Sequence, residues 1–177
     1  MNNGSTQKYT LIDLLILGVI AAIFTIVFIS MWTVYYAVKA SAGPIVARLL
    51  TYGAWFMPAP LAASLIRKRF SALLGEFLPA LLESIMPTPG GLTNAIYGLC
   101  QGLFSELAYV ATRYKKYDVL TASLAGALPA VAAVSLDAIL FGDIYPLDYM
   151  VQIILAIAVS GAIYGVLAYY IAKGIRK

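Results

Sequence analysis

The sequence has 177 residues, of which 62% are apolar and only 11% are charged. A water-soluble domain is closer to about one half apolar and about one quarter charged, so this composition excludes a soluble globular core and indicates a protein built for lipid. The net charge is +4, and the chain has no histidine and a single cysteine, Cys100, which excludes histidine-dependent catalysis, the usual zinc sites and any internal disulfide.

Six stretches of the chain are poor in charge, and four of them reach or approach the roughly 20 residues with which a helix crosses a bilayer. They predict an all-α integral membrane protein, in which a single domain over 1–177 folds as a bundle of six transmembrane helices. The stretches are residues 14–38, 49–66, 71–82, 84–105, 119–136 and 149–172. The remaining chain is only tails and short loops. Any ATPase or catalytic domain that the function needs would therefore belong to another protein.

The cationic residues are divided unequally between the two sides of this bundle. Ten of the twelve fall in the tails and in the loops after spans two and four, and only Lys39 and Arg48 fall on the other side. Because loops rich in Lys and Arg stay on the cytoplasmic side, both termini are predicted to be cytoplasmic. The clusters lie between apolar spans and not along one polar face, so they do not indicate a nucleic-acid partner. The ten are Lys8, Arg67, Lys68, Arg69, Arg113, Lys115, Lys116, Lys173, Arg176 and Lys177.

The first span has a small-residue pair near its start and an aromatic group near its end. Gly18 and Ala22 are four residues apart, and such pairs let two helices approach closely in lipid. Two uses of this pair stay open, a contact face for a partner protein and packing within the bundle. Trp32, Tyr35 and Tyr36 follow at the predicted outer interface, where amphipathic rings are favoured.

Prolines mark the next two spans. Pro58 and Pro60 in span two predict a kink or an unwound stretch that faces protein or a cavity and not lipid. Span three is short, and we expect Pro79 to interrupt it. It carries Glu76 near its inner end and Glu83 near its outer end, which is unusual for a helix that faces lipid.

Span four carries a polar stripe. Residues Asn94, Tyr97, Gln101, Ser105 and Ala108 are separated by 3, 4, 4 and 3 positions, which is the spacing of one helical face. Polar groups at membrane depth are costly against lipid. The stripe is therefore predicted to face the interior of the bundle or a wet cavity.

The outer half gathers carboxylates, aromatic rings and amides, a combination that suits a flat, cationic, hydrogen-bonding small molecule. We expect a pocket between spans three, four, five and six, under a lid formed by the first outer loop. No metal and no cofactor is expected. The predicted substrate-binding residues are Glu83, Asn94, Tyr97, Gln101, Trp32, Tyr36, Trp55, Asp137, Tyr145, Tyr149 and Gln152.

These features leave other interpretations open. The rings could be interfacial anchors, and the protein could be a scaffold without a cavity. A proton-coupled carrier would use Glu83 or Glu106 as a relay, since membrane carboxylates often carry protons. An intramembrane hydrolase is disfavoured because the chain lacks histidine and a G-x-S-x-G elbow, and because Asp13 and Asp137 are expected on opposite sides.

Residues 83–102 read ESIMPTPGGLTNAIYGLCQG and follow a span that contains Gly53 and Pro58. Together with six short spans, cytoplasmic termini and an aromatic outer pocket, this stretch resembles the substrate-binding S-components of energy-coupling factor vitamin transporters, in particular the YkoE type. The small-residue pattern that S-components carry on span one is AxxxA, whereas here it is Gly18 and Ala22. The partner-coupling face is therefore expected at these two residues.

The resemblance implies a transport subunit and not an enzyme, in a bacterial cell membrane. It implies that thiamine or its hydroxymethylpyrimidine precursor is bound from the outside. It also implies partners, namely a transmembrane coupling protein and two ATPase subunits. Glu83 would then accept hydrogen bonds from an aminopyrimidine or face the thiazolium charge, and Trp32, Tyr36 and Trp55 would stack on the rings.

Overall fold

The computed structural model describes residues 8–176, and this part of the chain forms eight α-helices and no β-strand. The helices are α1 (Leu11–Ala42), α2 (Pro44–Phe56), α3 (Pro58–Ile66), α4 (Ser71–Ser84), α5 (Thr93–Ala111), α6 (Val119–Ala127), α7 (Pro129–Phe141) and α8 (Leu147–Ile175).

Two pairs of helices are single bent rods. Only Met57 separates α2 from α3, and only Leu128 separates α6 from α7, and both residues keep right-handed helical backbone angles. Pro58 and Pro129 begin the second helix of each pair, where the proline nitrogen cannot continue the hydrogen-bond ladder. Residues 8–176 therefore form six helical rods, which confirms the predicted all-α bundle. Four rods are long and apolar enough to cross a membrane, namely Leu11–Ala42, Pro44–Ile66, Val119–Phe141 and Leu147–Ile175.

The helix α4 is short, as predicted, but the expected interruption at Pro79 is wrong. The helix runs unbroken over 14 residues with Pro79 inside it, a rise of about 21 Å. Pro79 is buried, and the hydroxyl of Thr25 on α1 donates to its carbonyl over 3.3 Å. The carbonyl that Pro79 leaves without a helical donor is that of Gly75, which is also buried, so the affected backbone is enclosed by protein, and there a proline is tolerated in a membrane helix.

The helix α3 lies at the centre of the bundle. It packs against α1, α4, α6 and α8, and every residue in it except Leu65 is buried. Pro58 and Pro60 are among its most deeply buried side chains. The bend in this rod therefore faces protein and not lipid, as the sequence predicts.

Glycines set the distance between α6 and α8. A Cβ atom on Gly161 would collide with the carbonyl of Gly126, and a Cβ atom on Gly165 would collide with the carbonyl of Ala122. The two backbones therefore touch directly, which is the arrangement that a GxxxG pair permits.

The pair Gly18 and Ala22 lies on the exposed face of α1. A Cβ atom added to Gly18 would meet nothing within 4 Å. Of the two uses that the sequence left open, the structure excludes packing within the bundle, because these exposed residues face outward from it. Contact with a partner stays a prediction.

Cations concentrate at one end of the bundle, called the basic end below. Contacts tie its segments together, since the Tyr9 hydroxyl donates to the carbonyl of Arg69, Lys68 pairs with Asp13, and Arg176 donates to the carbonyl of Ser64. The side of the membrane on which this end lies stays a prediction. Lys177, which the positive-inside count includes, lies outside the described residues. The described cations at this end are Lys8, Arg67, Lys68, Arg69, Arg113, Lys115, Lys116, Lys173 and Arg176.

Glu106, a buried residue of α5, caps the neighbouring helix α4. Its Oε1 accepts from the backbone N–H of Phe70 over 2.6 Å, and its Oε2 accepts from that of Leu73 over 3.0 Å. A carboxylate at a helix N-terminus satisfies free donors and complements the helix dipole. Glu106 therefore has a structural partner for each of its oxygens.

Candidate functional site

A cavity of about 210 Å³ opens at the end of the bundle opposite the basic end. Its walls come from α1, α2, α4, α5 and α7, from the α4–α5 connection and from the start of the α7–α8 connection. The lining residues are Phe28, Trp32, Tyr35, Tyr36, Lys39, Arg48, Tyr52, Trp55, Phe56, Ala80, Glu83, Pro89, Gly90, Thr93, Asn94, Tyr97, Gly98, Gln101, Asp137, Phe141 and Asp143. The cavity excludes the interpretation as a scaffold without a binding space.

The predicted position of the pocket needs correction. Spans three, four and five contribute as expected, but α1 and α2 supply nearly half of the lining and α8 supplies none of it. The expected lid is also wrong, because Gly43 alone connects α1 to α2. Gly43 has a φ of 85°, a left-handed value that favours glycine, and this tight turn leaves no loop to cover the cavity.

Eight of the eleven predicted substrate-binding residues line the cavity, and three do not. Tyr145 and Tyr149 contact each other, with ring centroids 5.2 Å apart, and pack on the buried cluster that contains Phe56 and Ile153. Gln152 is exposed. The α7–α8 connection, which carries Tyr145, and the start of α8, which carries the other two, therefore lie outside the cavity lining. The eight that line it are Trp32, Tyr36, Trp55, Glu83, Asn94, Tyr97, Gln101 and Asp137.

The polar stripe of span four lies inside the bundle, as predicted. Asn94, Tyr97 and Gln101 line the cavity from α5, and both amide side chains are buried. Further along the same face, Ser105 is fully buried and donates to the carbonyl of Ala125 over 2.8 Å. One helical face thus forms a cavity wall at one end and packs against α6 at the other.

An aromatic wall comes from α1 and α2. The rings of Trp32 and Tyr36 are stacked, with centroids 6.0 Å apart and an interplanar angle of 24°. Trp55 meets Trp32 edge to face at 5.5 Å, and Tyr52 meets Trp55 at the same distance. Such a wall presents both ring faces and ring edges to a flat ligand.

Glu83 on α4 is held by this wall. The indole Nε1 of Trp32 donates to its Oε1 over 2.7 Å, and the residue is only 3% exposed. Its Oε2 has no hydrogen-bond donor among residues 8–176. The carboxylate is thus fixed in orientation by one oxygen while the other stays available to a ligand.

A second polar group in the cavity centres on Asp137. The hydroxyl of Tyr97 donates to its Oδ1 over 2.6 Å, and that of Tyr52 lies 3.4 Å from its Oδ2. The Nη2 of Arg48 lies 3.6 Å from Asp137 Oδ2 and 3.8 Å from Asp143 Oδ2. Asp143 therefore links the α7–α8 connection to the mouth of the cavity.

Arg48 is the main site residue that sequence reasoning missed. It is 2% exposed, and its Nε and Nη1 have no hydrogen-bond partner among the described residues. In the sequence it lies just before the second apolar stretch, a position that predicts a solvated cation in the connection between two spans. The available signal is its spacing, because Arg48, Tyr52 and Trp55 are four and three residues apart and share one face of α2.

Glu76, the other acid of α4, lies outside the cavity. It is 1% exposed, and neither carboxylate oxygen has a hydrogen-bond partner in the part of the chain that the structure describes. The two acids of α4 therefore differ in their surroundings, since Glu83 borders the cavity and Glu76 is enclosed by protein.

Comparison with known proteins agrees with this architecture. Residues 12–132 match a family model described as the permease component of an ABC-type cobalt transport system. The chain is 31% identical over 152 residues to a protein of Bacillus subtilis named putative HMP/thiamine permease protein YkoE, covering 85% of this chain and 76% of that protein. A crystal structure of an S-component of an ECF transporter superposes with a TM-score of 0.88 at 29% identity, covering 95% of this chain and 86% of that one.

The chain belongs to the S-component family of energy-coupling factor transporters, and it is of the YkoE type. It is a multi-pass membrane protein of a family of transport subunits. The stretch 83–102, which carries the resemblance in the sequence, supplies eight residues of the S-component cavity. The stretch that carries the resemblance therefore forms one part of the candidate site.

Proposed function

We propose that this S-component binds thiamine or its hydroxymethylpyrimidine precursor in the cavity and passes it to an ATP-driven importer. The name of the Bacillus subtilis relative refers to both molecules. The observation that carries the proposal is the Glu83 carboxylate, which Trp32 holds by one oxygen inside an aromatic wall. An aminopyrimidine offers a flat ring for stacking and amino hydrogens for the free oxygen.

The charge of the cavity supports a cationic substrate. Three carboxylates and two cationic side chains line it, an excess of one negative charge when all five are ionised. Lys39 and Asp143 are the more exposed members of this set, and the buried remainder, Glu83 and Asp137 against Arg48, keeps the same excess of one negative charge. Thiamine carries one positive charge on its thiazolium ring, and carboxylates and aromatic faces both attract such a charge.

The cavity does not suit a cobalt ion, although the family model carries that metal in its description. Residues 8–176 contain no group of three or more His, Cys, Asp or Glu side chains placed to hold a metal. Cobalt is bound well by imidazole and thiolate ligands, and the chain has no histidine and one cysteine. An organic cation is the better match for these residues.

Uptake would require a transmembrane coupling protein and two ATPases, and the exposed pair Gly18 and Ala22 would contact the coupling protein. Replacing either by Leu should reduce uptake in cells while thiamine affinity of the purified subunit stays the same. We expect this separation because Gly18 and Ala22 are exposed on α1 and do not line the cavity. A loss of affinity would contradict this division of roles.

The two hydrogen bonds by which Glu106 caps α4 weigh against its use as a relay in the proton-coupled alternative. Uptake in cells that lack the ATPases, driven by a pH gradient, would favour this alternative. Uptake that stops without the ATPases supports the importer.

The direct test of the substrate is a calorimetric titration of the purified protein with thiamine, hydroxymethylpyrimidine and the isolated thiazole moiety, together with riboflavin as an unrelated vitamin. We expect thiamine and the pyrimidine to bind, because Glu83 recognises the ring they share. Binding of riboflavin alone, or of none of the four, would refute the substrate assignment.

A further inference from the structure

The rod formed by α6 and α7 is packed unequally along its length. Its first half, α6, touches α8 backbone to backbone, since a Cβ atom on Gly126 would collide with the carbonyl of Gly161. In α7 the buried residues end at Val134, and none of residues 135–141 is buried. Tight packing therefore fixes the half of the rod near the basic end, whereas the last two turns of α7, which reach the substrate cavity, are loosely packed.

Pro129 lies at the bend between the two helices of this rod. A proline nitrogen carries no hydrogen, so the carbonyl of Ala125, four residues earlier, has no donor within the helix. The hydroxyl of Ser105 on α5 donates to this carbonyl over 2.8 Å, and Ser105 is fully buried. The break in the helical ladder is thus stabilised by α5 on the tightly packed side of the bend.

The other bent rod, formed by α2 and α3, does not show this asymmetry. Its outer half is fixed to α8, because the backbone N–H of Gly53 donates to Ser160 Oγ over 2.9 Å. A Cβ atom on Gly53 would also collide with the carbonyl of Ser160. The α3 half is buried at the centre of the bundle. Both halves of that rod are therefore held in place, and α7 differs from α2 in this respect.

The last two turns of α7 make their side-chain contacts with residues of the cavity. Asp137 accepts from the hydroxyl of Tyr97 over 2.6 Å and lies 3.6 Å from the guanidinium of Arg48. The ring of Phe141 is stacked on that of Tyr97, with centroids 6.4 Å apart. All four residues line the cavity. The position of this part of α7 therefore depends on the cavity and on what occupies it.

A small rotation at Pro129 moves the end of α7 much more than its buried part. For a rotation of about 15°, Val134, about 7 Å from the pivot, moves by about 2 Å, and Phe141, about 18 Å away, moves by about 5 Å. The rotation would also separate Asp137 from Arg48. Both charges would then reach water, so this opening avoids the large cost of leaving one buried charge without its partner.

We propose that α7 is a hinged gate of the substrate cavity and turns at Pro129. Outward rotation opens the side of the cavity between α2 and α5, and inward rotation places Asp137 and Phe141 against the bound substrate. Hinges are often a few residues at the ends of helices that absorb the change in direction. The proposal rests on the cavity being the substrate site, as proposed above, but not on the identity of the substrate.

The test is a distance measurement between two spin labels on the purified full chain in liposomes, in a Cys100→Ala background. One label is attached to Ile26→Cys on α1 as the reference. The second is attached to Ile139→Cys in the last two turns of α7 or, as the matched control, to Leu120→Cys in α6 of the same rod. All three positions are exposed on the surface of the bundle, where a label disturbs no internal packing.

Without ligand, we expect the distances to the Ile139 position to spread over about 5 Å more than those to the Leu120 position. Added thiamine should narrow them to the shortest values and leave the Leu120 distances unchanged. A narrow Ile139 distribution without ligand, or an equal change at both positions, would overturn the gate. If thiamine does not bind at all, a broad distribution at Ile139 still supports the gate, and only the substrate assignment fails.

Binding rates test the hinge itself. Trp32 and Trp55 are the only tryptophans of the chain and both line the cavity, so their fluorescence in a stopped-flow experiment follows thiamine binding. Pro129→Ala restores the missing N–H and should slow association and dissociation alike by several-fold, with a smaller change in their ratio. Pro79→Ala, the same change inside the continuous helix α4, should leave both rates as in the parent. Parent rates in Pro129→Ala would overturn the proposal. If that variant does not fold, the label distances on the parent chain decide.

Discussion

The guanidinium of Arg48 on α2 faces the carboxylate of Asp137 on α7, with Nη2 3.6 Å from Oδ2 and only 3% and 13% of the two side chains exposed. This pair joins two rods that are far apart in the chain and forms part of one wall of the cavity. Both charges are held away from water, so each depends on the other.

Replacing Arg48 by Met should destabilise the protein strongly, because it leaves Asp137 buried without its cation. Breaking a buried pair in this way costs roughly 3–5 kcal/mol. The double variant Arg48→Met with Asp137→Asn should recover much of the loss, and Lys39→Met at the exposed rim should have little effect. Thermal unfolding in detergent measures all three. A double variant no more stable than Arg48→Met would contradict the pairing.

Gly161 and Gly18 provide a matched test of the packing. The change Gly161→Ala places a Cβ against the carbonyl of Gly126, so we expect destabilisation of about 1–3 kcal/mol. Gly18→Ala meets no atom within 4 Å and should be neutral or slightly stabilising, since alanine favours helix. Comparing the melting temperatures of the two variants tests the direct contact between α6 and α8. An equal change in both melting temperatures would mean that these helices are not in direct contact.

Glu106→Ala should destabilise the protein by about 1–2 kcal/mol, because α4 loses the carboxylate that accepts from Phe70 and Leu73. Thiamine affinity and ATP-driven uptake per folded molecule should remain. Thermal unfolding and uptake assays on the same variant separate the two effects. If uptake stops while the protein stays as stable as the parent, Glu106 is a proton relay and not a cap.

The positive-inside prediction is tested by cysteine labelling in a Cys100→Ala background. Cysteines introduced at Lys68, at the basic end, and at Asp143, at the mouth of the substrate cavity, should react from opposite sides of the membrane. We expect the Asp143 position to react with an impermeant reagent added to intact cells and the Lys68 position to react only after permeabilisation. Reaction of both positions in intact cells would contradict the topology.

Helical periodicity identified residues that share a face more reliably than it identified what the face meets. Asn94, Tyr97 and Gln101 line the cavity together because spacings of three and four residues fix their common direction. Tyr149 and Gln152 were misplaced, because the rotation of α8 is set by the contact of Gly161 with Gly126 and not by the polarity of its first turn.

The spacing of Arg48 with Tyr52 and Trp55 indicates a shared face, but its burial and its ion pairs could not be assigned from the sequence because they depend on distant residues. A cation at the edge of an apolar stretch is usually solvated, and only the folded chain brings Asp137 and Asp143 within 4.0 Å of it. The expected lid was wrong because the length of the connection between α1 and α2 could not be read from the sequence. The sequence indicates a turn there but does not show that one residue completes the connection between α1 and α2.

The measurement that tests the central claim most directly is the thiamine affinity of Glu83→Gln. Replacing the carboxylate by an amide removes the charge but keeps the shape, and the loss of a charge-assisted contact is worth roughly 1.5–3 kcal/mol. We expect affinity to fall by about ten- to a hundredfold. The controls are Glu76→Gln on the same helix and Asp148→Asn at an exposed position of α8. Neither residue lines the cavity, so both variants should bind thiamine like the parent. If Glu83→Gln binds thiamine as tightly as the parent, or if Glu76→Gln is the more damaging change, the substrate site lies elsewhere in the bundle.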